Sequence, residues 1–285
     1  MPEPLIINLA PTGMVPTKEM TPHVPLSCEE ILDQVASCHE AGVSVVHVHA
    51  RDPEGRPSHH AEHFAPIVEG IRRIDPELVV CVTCSGRFVS DVASRAEVLG
   101  LDGDTRPDMA SLTLGSNNFP AQASVNGPLE IRELAEAMKE RGVKPELEAF
   151  EPGMVAFAAR LVAEGVLGPP CYLNILLGNL GTAPLSPGML GAFLALVPDD
   201  WTWALAGIGR YQLEANLMAV AAGGHVRVGL EDNVWWDRGR TELATNRGLV
   251  ERIAAAAELA ERPLATPSQA RQRLGLESRE PAGRT

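Results

Sequence analysis

The chain of 285 residues is predicted to be an α/β protein that folds as a single closed (β/α)₈ barrel, and three observations support this. Eight short runs rich in Val, Ile and Leu recur about every 25 to 40 residues, as expected for strands buried on both faces. Helical patterns with a period of 3.6 residues fill the intervals. The turn after the first run, APTGMVPT, lacks the GxGxxG sequence of a doubly wound sheet. The alternation therefore favours a TIM barrel over an open sheet.

The eight runs give the strands in chain order. The predicted strands span residues 5–10, 43–49, 78–84, 109–115, 146–150, 172–178, 201–207 and 225–230. In a barrel of this kind the chemistry lies at the C-terminal ends of the strands and in the loops that follow them. Polar residues at those eight positions are therefore the candidates for function.

Helix signals separate the runs. Ser27 and Glu30 have the spacing of a capping box, and Gly42 ends that first helix. Further helices are predicted over residues 61–74, 128–142 and 152–165, and a long Ala-rich helix over roughly 241–260. The barrel domain then covers residues 1–275, and a polar tail, residues 276–285, is expected to be frayed.

Composition excludes several classes of protein. The chain has 24 Lys and Arg against 37 Asp and Glu, a net charge of −13, which argues against a nucleic-acid-binding surface. Its apolar runs are shorter than the ~18 residues of a membrane span. The N-terminus, MPEPLIINLA, lacks the basic region of a signal peptide. Five irregularly spaced cysteines do not suggest a secreted disulfide framework. We therefore expect an acidic cytoplasmic enzyme.

A metal site is suggested at the end of the second strand. His47 and His49 are two residues apart on a strand, so their side chains point to the same side. Two imidazoles at the barrel mouth could hold a divalent metal, most plausibly zinc, although a pair of buried histidines bonded to backbone or carboxylate has the same pattern. Glu231 follows the eighth strand, which closes next to the first, and could complete the set. Two His and one carboxylate leave coordination positions open, as in a catalytic site.

Other polar residues give weaker signals. Cys81 and Cys84 face opposite sides of one strand, so we interpret them as core cysteines rather than metal ligands. Glu146 and Glu148 share a side of the fifth strand and need partners inside the barrel, either the site itself or a salt bridge. Arg210, in the sequence GIGR after the seventh strand, could meet a phosphate.

Taken together, the motifs resemble those of the β-keto acid cleavage enzymes over nearly the whole chain. The matching segments are APTG, HVHARDPEGRPS, RPDMASLTLGSNNF, PELEAFEPGM, WALAGIGR, GGHVRVGLEDN and the terminal LATPSQAR…LGL. The resemblance implies a zinc-dependent (β/α)₈ barrel that condenses a β-keto acid with acetyl-CoA to give acetoacetate and a new CoA ester. It also implies a homo-oligomer, plausibly a tetramer.

The resemblance also assigns roles to residues. The family's zinc ligands fall on His47, His49 and Glu231, and its catalytic Arg–Asp dyad falls on Arg227 and Asp232. A pocket hydroxyl falls on Thr83, where the type enzyme has serine. Further substrate contacts fall on Gly86 and Ser111, and Arg210 is a candidate contact for CoA.

One departure bears on the substrate. The type enzyme, which acts on 3-keto-5-aminohexanoate, carries a glutamate in the first loop, suited to a substrate ammonium. The matching residue here is Val15. We therefore predict a neutral or apolar β-keto acid, with Met14 and Val15 lining the distal pocket. Arg87 leaves a dicarboxylic substrate as the second choice.

The expected chemistry is a retro-Claisen exchange. Asp232 removes the proton between the two carbonyls, and the neighbouring Arg227 is expected to keep Asp232 ionised. Thr83 and nearby amides would stabilise the oxyanion. A zinc aldolase or lyase that acts without CoA on the same barrel is the alternative enzyme. A binding or scaffold barrel with a decayed site is the alternative outside enzymes.

Overall fold

Each of the eight predicted runs forms one strand of a closed, parallel barrel in the computed structural model, which describes residues 2–279. Each strand pairs with its neighbours in sequence, and the eighth strand pairs with the first, so the prediction of a TIM barrel is confirmed. The strands are β1 Ile7–Leu9, β2 Val45–Val48, β3 Val79–Val82, β4 Met109–Thr113, β5 Lys144–Ala149, β6 Tyr172–Leu177, β7 Thr202–Gly207 and β8 His225–Val228.

Helices surround the barrel. In the described residues they are α1 Cys28–Glu40, α2 Ala61–Ile74, α3 Val92–Ala96, α4 Pro128–Glu140, α5 Pro152–Ala163, α6 Pro187–Leu194, α7 Gln212–Ala221, α8 Asn246–Leu259 and α9 Pro267–Leu274. The capping box of α1 is present as predicted, since the Ser27 side chain accepts from the backbone N–H of Glu30. Apolar faces of these helices pack on the strands in one large core.

The last predicted helix differs from the structure. It begins at Asn246 rather than at residue 241, because the Asp237 carboxylate accepts from the backbone N–H groups of Thr241 and Glu242 and so holds those residues in a turn. Thr245 then caps α8 by accepting from the N–H of Gly248. The sequence analysis also did not predict α9.

Helix α9 closes the N-terminal end of the barrel. Its Ala270 and Leu274 pack against inward side chains from the strand bottoms, among them Val45, Val79 and Met109. The segment after Gly275 was expected to be frayed, yet the Arg279 guanidinium reaches a carboxylate of the fold. The rest of the predicted tail, residues 280–285, lies outside the described residues.

A buried carboxylate, Asp108, links several elements at this N-terminal end. Asp108 is bonded by Arg72 at 2.7 Å, by Arg271 at 3.0 Å and by Arg279 at 3.2 Å. It also accepts from the backbone N–H of Val80. The cluster therefore ties α2, α9 and the following segment to the base of the barrel. Within residues 2–279, no helix is both long enough and apolar enough to cross a membrane.

Candidate active site

A deep concave site lies at the C-terminal ends of the strands, as the fold predicts. It is a cavity of about 450 Å³. Its floor is polar and its mouth is mainly apolar. The floor includes His47, His49, Thr83, Thr113, Glu148, Arg227, Glu231 and Asp232; the rest of the wall includes Met14, Val15, Met20, Arg87, Phe88, Phe119, Leu176, Ile208, Trp235 and Arg240.

The three predicted metal ligands converge on the cavity floor. The Nε2 atoms of His47 and His49 are 3.3 Å apart, and Nε2 of His49 is 3.2 Å from Oε1 of Glu231. The ligand atoms of the three residues all lie within 4.8 Å of one another. Sequence spacing alone placed the two histidines on one side, and barrel closure brought Glu231 to them.

The donor set fits a zinc ion. Two imidazole nitrogens bound to one tetrahedral zinc at about 2.0–2.1 Å each lie roughly 3.3 Å apart, which is the observed separation. Burial lowers the pKa of His49 to about 4, so its ring is neutral and has a lone pair. Within the described residues, Oε2 of Glu231 is buried without a hydrogen-bond partner. A cation at this position would satisfy it.

The carboxylate of Glu146 orients His47. Its Oε2 lies 2.5 Å from Nδ1 of His47, and both side chains are fully buried. Burial opposes the charge of Glu146, but the ring of His47 lowers the pKa of this carboxyl to about 2, so it acts as the acceptor. Burial opposes a charge on His47, but Glu146 raises the pKa of the ring, so the Nδ1 proton is held firmly. Binding of a metal would displace the Nε2 proton and use that lone pair, while Nδ1 keeps its proton toward Glu146. Carboxylate–histidine pairs of this kind fix metal ligands in many proteins.

Cys81 belongs to this support and not to the ligand set facing the cavity. Its thiol donates to Oε2 of Glu146 at 3.1 Å. Burial raises the pKa of the Cys81 thiol well above its usual range, so it stays protonated. A protonated thiol is a poor metal ligand, although His47, Cys81 and Glu146 also lie close together. Asn8 donates to the other oxygen of Glu146 at 2.6 Å. The sequence analysis left the role of Glu146 open.

Arg227 is the centre of a second cluster. Its guanidinium bonds Asp232 through Nε at 3.0 Å, Glu231 through Nη2 at 2.6 Å and Glu148 through Nη1 at 3.4 Å. Thr113 donates to the other oxygen of Glu148. One guanidinium thus faces three carboxylates in a buried setting, and the positive charge is shared among them.

The pKa values of these carboxyls diverge. Burial opposes the charge of Glu231, but Arg227 and the imidazoles hold its pKa well below the ordinary value. Burial raises the pKa of Asp232 above its ordinary value despite the contact with Arg227. Arg227 lowers the pKa of Asp232, the effect expected from the sequence, but burial is the larger effect and the net shift is upward. A carboxylate with a raised pKa is a stronger base than an exposed aspartate.

Close backbone packing positions Glu231. Gly13 has φ +68°, and a Cβ at this position would lie 2.6 Å from Cγ of Glu231, so glycine is required on both counts. Arg51 holds the carbonyl of Gly13 at 2.7 Å. The side chain of Asn246 accepts from the N–H of Leu230 and donates to the carbonyl of Pro11, which ties the loops after β1 and β8 together.

The other predicted residues divide into two groups. Thr83, Met14, Val15 and Arg87 line the cavity with the metal set and the Arg–Asp dyad. Ser111, Gly86 and Arg210 lie elsewhere: Ser111 accepts from the N–H of Cys84, Gly86 packs beside Arg95, and Arg210 lines a separate small cavity.

The sequence analysis missed two parts of the wall. One is the pair of short strands Asn117–Asn118 and Ala123–Ser124, which brings Phe119 and Gln122 to the cavity. The other is Arg240, in the turn before α8. Neither segment shows the periodicity of a strand or helix, because contacts between loops determine where its side chains lie.

Comparison with known proteins agrees with this geometry. The profile of the β-keto acid cleavage enzymes matches residues 4–276. The chain belongs to this family. The match confirms the resemblance drawn from the sequence motifs, and with it a β-keto acid cleavage enzyme on a TIM barrel.

Individual relatives match over nearly their full length. The chain is 38% identical over 288 residues to the 3-oxoadipate:acetyl-CoA acetyltransferase of Cupriavidus necator, covering 100% of this chain and 99% of the relative. It is 37% identical to the 3-keto-5-aminohexanoate cleavage enzyme of Fusobacterium nucleatum, covering 97% and 99%. A solved ternary complex of ObcA with a C4-CoA adduct and oxalate superposes with a TM-score of 0.78 at 19% identity, over 90% of this chain and 68% of that one, and supports the fold.

Proposed function

We propose that this β-keto acid cleavage enzyme exchanges acyl groups between a β-keto acid and acetyl-CoA, giving acetoacetate and a new acyl-CoA. One observation carries the proposal: His47, His49 and Glu231 converge on the cavity floor beside an Asp232 that Arg227 holds. The names of both relatives are consistent with it, since one of them includes acetyl-CoA and both include a 3-oxo or 3-keto acid.

We propose zinc as the metal of this site. His47, His49 and Glu231 would hold it and leave positions open for the carboxylate and ketone oxygens of a β-keto acid. A bound divalent metal would polarise the ketone and favour negative charge on its oxygen. Glu146 keeps His47 in the orientation and tautomer that binding needs.

We propose Asp232 as the general base. Its carboxylate takes a proton from the carbon between the two carbonyls, and Arg227 holds it through Nε and Nη2. The resulting carbon nucleophile forms a bond to the acetyl carbon, and the CoA thiolate leaves. The CoA thiolate then adds to the ketone of the original acid, and the bond between that carbonyl carbon and the central carbon breaks. The central carbon takes back the proton held by Asp232, which gives acetoacetate beside the new thioester and restores the carboxylate.

Thr83 is suited to the oxyanions of these steps. Its hydroxyl oxygen accepts from the N–H of Ser85 at 3.1 Å, so its own proton is directed elsewhere, and the side chain lines the cavity. A donor that is already placed costs little reorganisation when the charge develops.

We propose that the substrate has a neutral or apolar tail. Met14 is buried against the cavity, and Val15, Met20 and Phe88 are half exposed at its mouth. Such a wall gains free energy by covering an apolar tail, and Val15 offers nothing to an ammonium.

A dicarboxylic tail is the second candidate, and Arg87 favours it. The Arg87 guanidinium lies 3.3 Å from the centroid of the Phe119 ring, lines the cavity and forms no ion pair within residues 2–279. A second substrate carboxylate would supply that partner, since arginine pairs with carboxylates in two-bond geometry. The relative from Cupriavidus necator is named for 3-oxoadipate, a dicarboxylic acid.

A substrate panel tests the proposal. The enzyme is assayed with neutral, dicarboxylic and amino β-keto acids, each with and without acetyl-CoA, and Arg87→Gln is assayed beside it. We expect turnover only with acetyl-CoA and the highest kcat/KM for a neutral acid. A dicarboxylic preference that Arg87→Gln removes would establish the second candidate. Cleavage without acetyl-CoA would identify a zinc aldolase or lyase, and a preference for 3-keto-5-aminohexanoate would refute both substrate proposals.

We also propose a cytoplasmic homo-oligomer, plausibly a tetramer, on the strength of the family resemblance alone. Sedimentation of the purified protein checks the assembly.

A further inference from the structure

Arg240 is a charged residue of the cavity to which the proposed chemistry gives no role. It lies in the loop after β8, its side chain is exposed at the mouth, and it belongs to the same wall as His47 and Asp232. Within residues 2–279 it forms no ion pair, whereas Arg238, two residues earlier, pairs with Glu214 at 2.8 Å. The cavity thus presents an arginine that the fold itself does not use.

The turn that carries Arg240 is held in an unusual conformation. Arg240 has φ 57°, in the left-handed region that side chains other than glycine seldom adopt. Its N–H donates to the carbonyl of Asp237, whose carboxylate fixes Thr241 and Glu242. Several hydrogen bonds therefore maintain a conformation that arginine does not favour, which is common where a side chain is positioned for a ligand.

The loop after β7 meets this side chain. A Cβ on Gly209, which has φ +61°, would lie 3.7 Å from Nη2 of Arg240. The N–H of Gly209 donates to the backbone carbonyl of Asp232 at 2.7 Å, so the same loop is tied to the proposed base. The loops after the seventh and eighth strands of a TIM barrel frequently form its phosphate site.

We propose that Arg240 binds a phosphate group of acetyl-CoA. This inference rests on the proposed function, which brings the thioester to the cavity floor and leaves the charged end of CoA, with its diphosphate and 3′-phosphate, toward the mouth. The protein has a net charge of −13, so a polyanionic ligand such as CoA needs a local cation at the entrance. Arg87 is packed against Phe119, and the charges of Glu231, Glu148 and Asp232 act on its guanidinium, so we assign it to the substrate end.

Arg210 was the candidate expected from the sequence. Its side chain lines the separate small cavity together with Arg238. The structure therefore favours Arg240 as the residue that reaches the ligand directly.

Calorimetric binding to the full-length enzyme tests the proposal without a known β-keto acid. The probes are CoA, 3′-dephospho-CoA and pantetheine, which lacks both phosphate groups. We expect Arg240→Ala to raise the Kd of CoA about tenfold or more, as a lost charge-assisted contact does, and to leave the Kd of pantetheine unchanged. If dephospho-CoA is weakened as much as CoA, the contact is to the diphosphate; if it is unaffected, the contact is to the 3′-phosphate.

Two further variants distinguish a direct contact between Arg240 and CoA from a general effect of charge or stability. Arg240→Gly removes the guanidinium and suits the left-handed backbone, so it should lose CoA affinity without a fall in Tm. Arg238→Ala removes one charge from the same turn and should change the Kd of CoA by less than twofold. Equal losses in Arg238→Ala and Arg240→Ala, or an unchanged Kd in Arg240→Ala, would overturn the proposal. Failure of the unaltered enzyme to bind CoA would refute the proposed function as well.

Discussion

The two ends of the barrel each bury a cluster of arginines and carboxylates, but the balance of charge is reversed. At the C-terminal end one guanidinium, Arg227, serves Glu148, Glu231 and Asp232. At the N-terminal end one carboxylate, Asp108, serves Arg72, Arg271 and Arg279. The first cluster has an excess of negative charge and borders a cavity, and the second has an excess of positive charge and lies under α9.

The two ends differ in how the surplus charge of each cluster is compensated. The arginines around Asp108 place further N–H groups on backbone carbonyls, as Arg72 does on Leu78 and Arg271 on Glu277. At the other end Oε2 of Glu231 has no hydrogen-bond partner among the described residues. A buried group without a partner is costly unless a ligand supplies one. At the N-terminal end, Nε of Arg72 and Nη1 of Arg271 are the atoms buried without a partner among the described residues. The comparison teaches that the C-terminal end leaves a carboxylate oxygen open to a cation, whereas the N-terminal end, which α9 closes, has surplus guanidinium groups and ties elements of the fold together.

The largest expected effect is on catalysis at the open end. Asp232→Asn should reduce kcat by about 10²–10⁴-fold, because a positioned general base contributes that much. Bound zinc should change little, since Asp232 is not among the proposed metal ligands. The free energy of unfolding should fall less than in Asp108→Asn, since Arg227 keeps Glu148 and Glu231 as partners. Steady-state assay and metal analysis check this. A rate near that of the unaltered enzyme would show that another group is the base.

A substitution in the N-terminal cluster should affect stability rather than catalysis. Asp108→Asn leaves three arginines without their carboxylate, and we expect it to lower the free energy of unfolding by about 3–5 kcal/mol, as the loss of one member of a buried ion pair does. The kcat and KM of folded protein should stay the same. Urea unfolding measures the first and assay at low temperature the second. Asp199→Asn, at an exposed carboxylate, is the matched control and should change stability by less than about 0.5 kcal/mol.

A smaller effect is expected from the support of the metal ligands. Glu146→Gln removes the charge that orients His47 but keeps its shape, so the affinity for zinc should fall by about 10–100-fold. Competition with a chelator, followed as metal release, gives this value without an activity assay. Cys81→Ala is the matched comparison, because the Cys81 thiol donates to the same oxygen and is not the group that orients the His47 ring. An equal loss in both variants would indicate a general packing effect.

These contrasts show what the sequence could predict. The recurrence of apolar runs predicted all eight strands, because a run of this kind is a local signal. The two-residue spacing of His47 and His49, together with closure of the barrel, predicted that Glu231 lies beside them, because closure follows from the topology. The Asp108 cluster was not predictable from the sequence, because two of its arginines are far from Asp108 along the chain. Arg271 is separated from it by 163 positions and Arg279 by 171. The raised pKa of Asp232 depends on the degree of burial, which a sequence does not reveal. Arg240 was missed because its turn is set by contacts of Asp237.

The smallest expected effect is a pH dependence that belongs to the closed end. Burial opposes the charge of Asp108, but Arg72 and Arg271 lower its pKa below the ordinary value of 3.8. A carboxyl with a depressed folded-state pKa contributes stability that is present above the unfolded-state pKa and is lost as the pH falls through the folded-state pKa. The difference in unfolding free energy between the unaltered enzyme and Asp108→Asn should therefore be constant near neutral pH. It should shrink only below about pH 4, where the unfolded-state carboxyl begins to bind protons. Urea unfolding of both proteins between pH 7 and pH 3 measures the difference. A gap that already narrows near pH 6 would mean that Asp108 is not held ionised by its arginines, and the contrast between the two ends would fail.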